Sequence, residues 1–160
     1  MRLSTEEAVS KYKDRLFTIA LNICRNPADA DDAVQDVFIK YYSLDKGFDD
    51  ESHLKAWLIR VTINRAKDIT SSFWRRHRET LEEYMETLVF EEPEDSRLFE
   101  AVMKLPEKYR IVVHLYYHEE YSVGEIADLL KRREGTVKSQ LGRGRMLLRK
   151  MLKEEWDDEE

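Results

Sequence analysis

The tightest constraint on the fold lies between Tyr121 and Arg145. There Ser122-Val123-Gly124-Glu125 sets a hydroxyl three residues before a carboxylate, the pattern of a capping box at a helix start. Ile126, Ala127 and Leu130 then fall on one face. The polar run Lys131-Arg132-Arg133-Glu134-Gly135 reads as a turn, with a last helix beginning near Thr136. Ala127 is small where two helices must cross closely, and Val137, ten residues on, is placed to lock the second helix against the first. A helix-turn-helix requires this arrangement. Lys138, Ser139, Arg143 and Arg145 fall outside the Val137, Leu141 and Leu148 stripe and can reach a major groove and its flanking phosphates. The alternative is a solvated basic face on a structural helix.

A net charge of -6 at first opposes a nucleic-acid partner. Its distribution reverses that conclusion. Residues 79–96 hold 8 acidic and no basic side chains, and residues 154–160 hold 6 acidic and no basic ones. Elsewhere 27 basic residues face 19 acidic ones, a net of +8. The segment 79–96 repels itself and contains Pro93, which makes it the expected boundary between two domains, 1–78 and 97–153, with 154–160 as an acidic, solvated tail. No apolar run approaches the roughly 18 residues that span a bilayer, and the first residues lack the apolar stretch of a secretory signal, so a cytoplasmic site is expected. Cys24, the single cysteine, excludes an internal disulfide and reads as a core thiol.

In the first domain, Ser4 and Glu7 suggest a capping box ahead of Val9, Tyr12, Leu16, Ala20 and Ile23 at helical spacing. Asn26-Pro27 opens a second helix whose buried stripe is Ala30, Ala33, Val34, Val37, Phe38 and Tyr41, with Asp29, Asp32, Gln35, Asp36 and Lys40 outward. After the polar loop 45–51, a third helix capped by Ser52 should bury Leu54, Trp57, Leu58, Val61 and Ile69. Its opposite side carries Arg60, Asn64, Lys67, Ser71 and Arg75, a polar and cationic stripe. Phe73-Trp74-Arg75-Arg76-His77-Arg78 follows, interleaving aromatics with cations as single-stranded or distorted DNA sites often demand, with a merely solvated face as the equal alternative from these residues alone. The Gly47-Phe48 loop beside a helix bearing the Asn64 amide suggests a pocket for an unstacked base. In the second domain, Leu98, Val102 and Leu105 mark a helix ending near Pro106, and Tyr109, Val112, Val113 and Tyr116 mark another. Nothing reads as a strand, so the expected class is all-α.

Taken together, these segments resemble a small sigma factor of the extracytoplasmic-function (ECF) group. The resemblance spans nearly the whole chain and implies a sigma-2 helical bundle and a sigma-4 helix-turn-helix joined by the acidic linker. Residues 28–40 are similar to the family helix that binds the clamp helices of the polymerase largest subunit, with Asp32, Gln35, Asp36 and Lys40 as its contact face. Lys46-Gly47-Phe48 and residues 56–68 resemble the segment that recognises and melts the minus-10 element. The resemblance implies minus-10 contacts from Lys46, Phe48, Arg60, Asn64, Lys67, Arg75 and Arg76. Residues 105–110 and the turn at Gly135 resemble the sigma-4 segments, implying minus-35 contacts from Thr136, Lys138, Ser139, Gly142, Arg143 and Arg145. Four positions depart from the family pattern: Arg133 for a frequent proline, Gln140 for arginine, Gly142 for a larger side chain and Gly144 for alanine. Each glycine is expected to weaken the last helix by roughly 1 kcal/mol relative to alanine. The implied partners are bacterial core RNA polymerase, including the flap of its second-largest subunit, promoter DNA, and an anti-sigma factor, often membrane-bound. The implied role of the linker is to run through polymerase channels that otherwise accommodate nucleic acid; charge alone fits a flexible tether nearly as well.

Two other readings compete. His114 and His118 at i, i+4, followed by Glu119 and Glu120, could suggest a metal, but no third and fourth ligand stands at familiar spacing, so neither an enzyme nor a cofactor is expected. A stand-alone operator-binding regulator would share the basic last helix. It would leave the melting-type loop and the cationic stripe of the first domain unexplained.

Overall fold

The computed structural model describes residues 1–71, 81–90 and 93–158. It is helical, without strands among the described residues, and divides into two compact units, Met1–Glu86 and Thr87–Glu160. The division falls inside the acidic segment, where α4 (Leu81–Thr87) lies.

The first unit packs three helices, α1 (Thr5–Cys24), α2 (Pro27–Ser43) and α3 (Glu51–Thr70), each against the other two. Ser4 caps α1 by accepting from the Glu7 N–H at 3.1 Å. Asn26 caps α2 by accepting from the Asp29 N–H at 2.9 Å, with Pro27 in the first turn. The whole expected stripe of α2, from Ala30 to Tyr41, is buried. Cys24 is buried too, its thiol 3.7 Å from the Ala66 carbonyl. Three expectations are corrected. Asp29 is buried rather than outward; a carboxylate in the first turn of a helix is favoured by the N–H groups pointing at it. The cap of α3 is Asp50, which accepts from the His53 N–H at 2.8 Å, so Ser52 lies inside the first turn. Trp57, Val61 and Ile69 are only half-buried, while Ile59, Thr62, Ile63 and Ala66 complete the inner face of α3.

In the second unit α5 (Pro93–Lys104), α6 (Glu107–Val113) and α7 (Val123–Leu130) all pack on the long α8 (Glu134–Asp158). Ala101 and Met103 of α5 are buried, as is Leu105 just beyond it, whereas Leu98 is 46% exposed against expectation. The box at Ser122 is complete: its hydroxyl accepts from Glu125 N–H, and the Glu125 carboxylate accepts from Ser122 N–H at 3.0 Å. Lys131 ends α7 in the left-handed region, φ 55°, and the chain re-enters a helix at Glu134, two residues earlier than the sequence suggested. Between α6 and α7, residues His114–His118 form a π-helical turn that periodicity did not reveal. No helix among the described residues is long and apolar enough to cross a membrane.

Candidate nucleic-acid and protein interfaces

On α2, Gln35 and Lys40 are exposed while Asp32 and Asp36 are half-buried. Beside them stand two large side chains that sequence reasoning passed over, Ile39 at 63% and Tyr42 at 76% exposure. Spacings of four and three residues align Gln35, Ile39 and Tyr42 along one ridge. Such a ridge, apolar at its centre and edged by carboxylates and an amine, fits a protein partner better than a nucleic acid. The signal was available: an isoleucine and a tyrosine on the outward side of a helix whose inward stripe was already complete.

The outward stripe of α3 is presented as expected, with Arg60, Asn64 and Ser71 exposed and Lys67 half-buried. Arg75 and Arg76, with the aromatics beside them, lie outside the described residues. Helix packing then joins the two expected interfaces. A shallow groove of about 140 Å³ between α2 and α3 is lined by Asp36 and Lys40 from one side and Asn64, Arg65 and Asp68 from the other. Arg65 closes onto Asp36 through an ion pair of 2.7 Å.

The loop before α3 is held differently from the expectation. The Phe48 ring is 3% exposed, 5.1 Å from His53, 5.7 Å from Trp57 and 6.3 Å from Tyr41, centroid to centroid. Its backbone exchanges two hydrogen bonds with Met1, of 2.7 and 2.8 Å. Arg2 lies 4.2 Å over the Tyr41 ring and donates to the carbonyls of Tyr41 and Lys46. The ring is therefore the anchor of the loop, and the surface the loop offers outward is Lys46, Gly47 and Asp49. Asn64 stands seven residues past Trp57, about 10 Å along the helix axis, and its groove is completed by α2 rather than by the loop.

On α8, Val137, Leu141, Gly144 and Leu148 face inward. At 100° per residue, Thr136, Ser139, Gly142 and Arg143 spread over the outer face, joined by Met146 at 67% exposure. Lys138 and Arg145 fall on one flank, where Arg145 donates to the Tyr117 hydroxyl at 3.1 Å. Outer positions can enter a groove, and flank cations suit phosphates. Gln140 accepts from Arg132 at 2.8 Å, so the departure from arginine there is used within the turn, and Arg132 also reaches the Lys108 carbonyl. The glycines differ: a Cβ on Gly142 would meet nothing within 4 Å, whereas one on Gly144 would stand 2.8 Å from Val113 Cγ2.

Comparison with known proteins accounts for both units. Residues 8–80 match the family described as Sigma-70 region 2, and residues 96–148 match Sigma-70, region 4. The chain is 30% identical to the ECF RNA polymerase sigma factor SigW of Bacillus subtilis, over 92% of this chain and 88% of that one. It is 34% identical to the RNA polymerase sigma-E factor of Streptomyces antibioticus, over 94% and 85%. Among solved structures, CnrH in complex with the cytosolic domain of CnrY aligns with a TM-score of 0.65 at 26% identity, covering 93% of this chain and 87% of that one. The sigma factor RpoE in complex with the anti-sigma factor NepR, from Bartonella quintana, shares the fold with a TM-score of 0.67 at 21% identity, over 92% and 96%.

Proposed function

The chain belongs to the sigma-70 family, in its extracytoplasmic-function group, and from that premise we propose how its surfaces divide the work of directing RNA polymerase to promoters. The α2 ridge of Asp32, Gln35, Asp36 and Lys40, with Ile39 and Tyr42, docks on core polymerase. The α3 stripe of Arg60, Asn64 and Lys67 takes the minus-10 strand as it separates, a role shared by Arg75 and Arg76 later in the sequence. Lys46 and the loop backbone add to that surface, with the Phe48 ring holding the loop in place. The outer face of α8, from Thr136 through Ser139, Gly142 and Arg143, reads the minus-35 duplex, and Lys138 and Arg145 grip its phosphates. Residues 1–78 and 97–153 are then the two working domains, 79–96 the acidic linker and 154–160 an acidic tail.

The observation that carries this division is that α2 and α3, packed side by side, turn outward with opposite chemistries: apolar and acidic on one, cationic and amide on the other. Members of this family are specificity subunits rather than catalysts. The chain therefore contributes binding and strand capture in the cytoplasm, and polymerase contributes the chemistry. An anti-sigma factor that covers these surfaces is the natural inhibitor, a reading supported by CnrH, whose structure is a complex with the cytosolic domain of CnrY.

Two substitutions test the division. Gln35→Ala should weaken holoenzyme formation, whereas Asn64→Ala should leave affinity for core polymerase unchanged and lower the yield of open complex, read by permanganate footprinting. Equal loss of both activities in both variants would refute it.

A further inference from the structure

Beyond α6 lies a turn whose two histidines and following glutamate belong to none of the surfaces described above. The π-helical turn His114–His118 is closed by the Glu119 N–H donating to the His114 carbonyl at 3.2 Å. In an α-helix, residue i+5 lies about 140° around the axis from residue i. A π turn holds about 4.4 residues, so i+4 and i+5 instead fall on either side of i. The turn thereby gathers His114, His118 and Glu119, each offering a donor atom within 4.8 Å of the others. The two imidazoles are stacked with centroids 4.7 Å apart.

His114 is 8% exposed, and its Nε2 is buried with no hydrogen-bond partner. A polar nitrogen buried without a partner is unfavourable, and a ligand that took its lone pair would relieve that cost. A neutral imidazole keeps the lone pair that a metal needs. Two imidazoles and a carboxylate form a borderline donor set suited to zinc.

We propose that His114, His118 and Glu119 form a binding site for a divalent transition-metal ion of the zinc type, with a fourth position open to water or to a partner's donor. Tetrahedral donors around zinc stand about 3.3 Å apart, so the set must tighten, and His118, the exposed member, can swing to close it. An ion held there ties together the two ends of the π turn, shortly before α7 opens at Val123. Occupancy therefore stiffens the junction from which the helix-turn-helix starts.

The test is titration of the untagged, EDTA-stripped full chain with Co²⁺, followed by displacement with Zn²⁺. One equivalent should bind with visible absorption bands that Zn²⁺ abolishes, and Zn²⁺ should raise the unfolding temperature. His118→Ala alters an exposed side chain, so it should keep the helical circular dichroism spectrum while losing at least about tenfold in affinity. His53→Ala should bind as the parent does. Absence of saturable binding, or binding undiminished in His118→Ala, would overturn the proposal.

Discussion

Alanine at Gly142 and alanine at Gly144 should shift stability in opposite directions, although the two positions lie two residues apart on one helix. Intrinsic propensity favours both changes by about 1 kcal/mol. At Gly142 a Cβ meets nothing within 4 Å, so the gain should be realised in full. At Gly144 the same atom would lie 2.8 Å from Val113 Cγ2 and 3.4 Å from Tyr109 Cβ. Val113 is 4% exposed, and a β-branched side chain in a helix has essentially one rotamer, so the methyl cannot swing aside. Either α6 or α8 must move, and overpacking of this kind costs roughly 1–3 kcal/mol. The two variants should therefore differ by about 1–3 kcal/mol, with Gly144→Ala the less stable. Urea unfolding followed by circular dichroism reads the difference, and hydrogen exchange in α8 assigns it to the second unit. A Val113→Ala background should soften the cost of Gly144→Ala, giving a coupling of at least about 0.5 kcal/mol. If Gly144→Ala proves as stable as Gly142→Ala, the close approach of α6 and α8 is not what the glycine serves.

Two further outcomes follow from buried side chains. Phe48→Ala removes a ring packed among Tyr41, His53 and Trp57, and should cost the first unit about 3–5 kcal/mol. Its promoter-melting defect should therefore come with a lower unfolding midpoint, unlike that of Asn64→Ala; an unchanged midpoint would refute the anchoring role. With EDTA present, His114 titrates near pH 4 when folded and near 6.5 when unfolded, so the unfolded chain binds the extra proton between those values. Its contribution is whole above pH 6.5 and should fall by about 3 kcal/mol as pH drops toward 4, measured as the pH dependence of the urea midpoint. A decline in the parent no steeper than in His114→Gln across that range would contradict it.

Local signals carried far in this sequence where neighbouring residues alone decide the structure. Ser122 with Glu125, and Asn26 with Pro27, are caps whose partners lie within three residues, and both were legible. The α2 stripe was legible because its period is intrinsic to the helix. What escaped depends on contacts distant in sequence or on competition between similar signals. Asp50 and Ser52 are both good caps, and only the path of the loop selects Asp50. Phe48 looked available because it sits in a polar loop, yet Met1, Tyr41 and Trp57 enclose it. Gly144 looked like a weak point until Val113 was found against it. The groove that joins Asp36 to Asn64, 28 residues apart along the chain, exists only because α2 and α3 pack side by side.

The most direct test of the central claim is run-off transcription with purified bacterial core polymerase on a pool of promoter fragments, with and without the protein. Selective initiation that requires the protein, and that is lost in Gln35→Ala, is the predicted result. Failure of the protein to bind core polymerase, together with strong binding to duplex DNA alone, would contradict the account and leave a stand-alone regulator in its place.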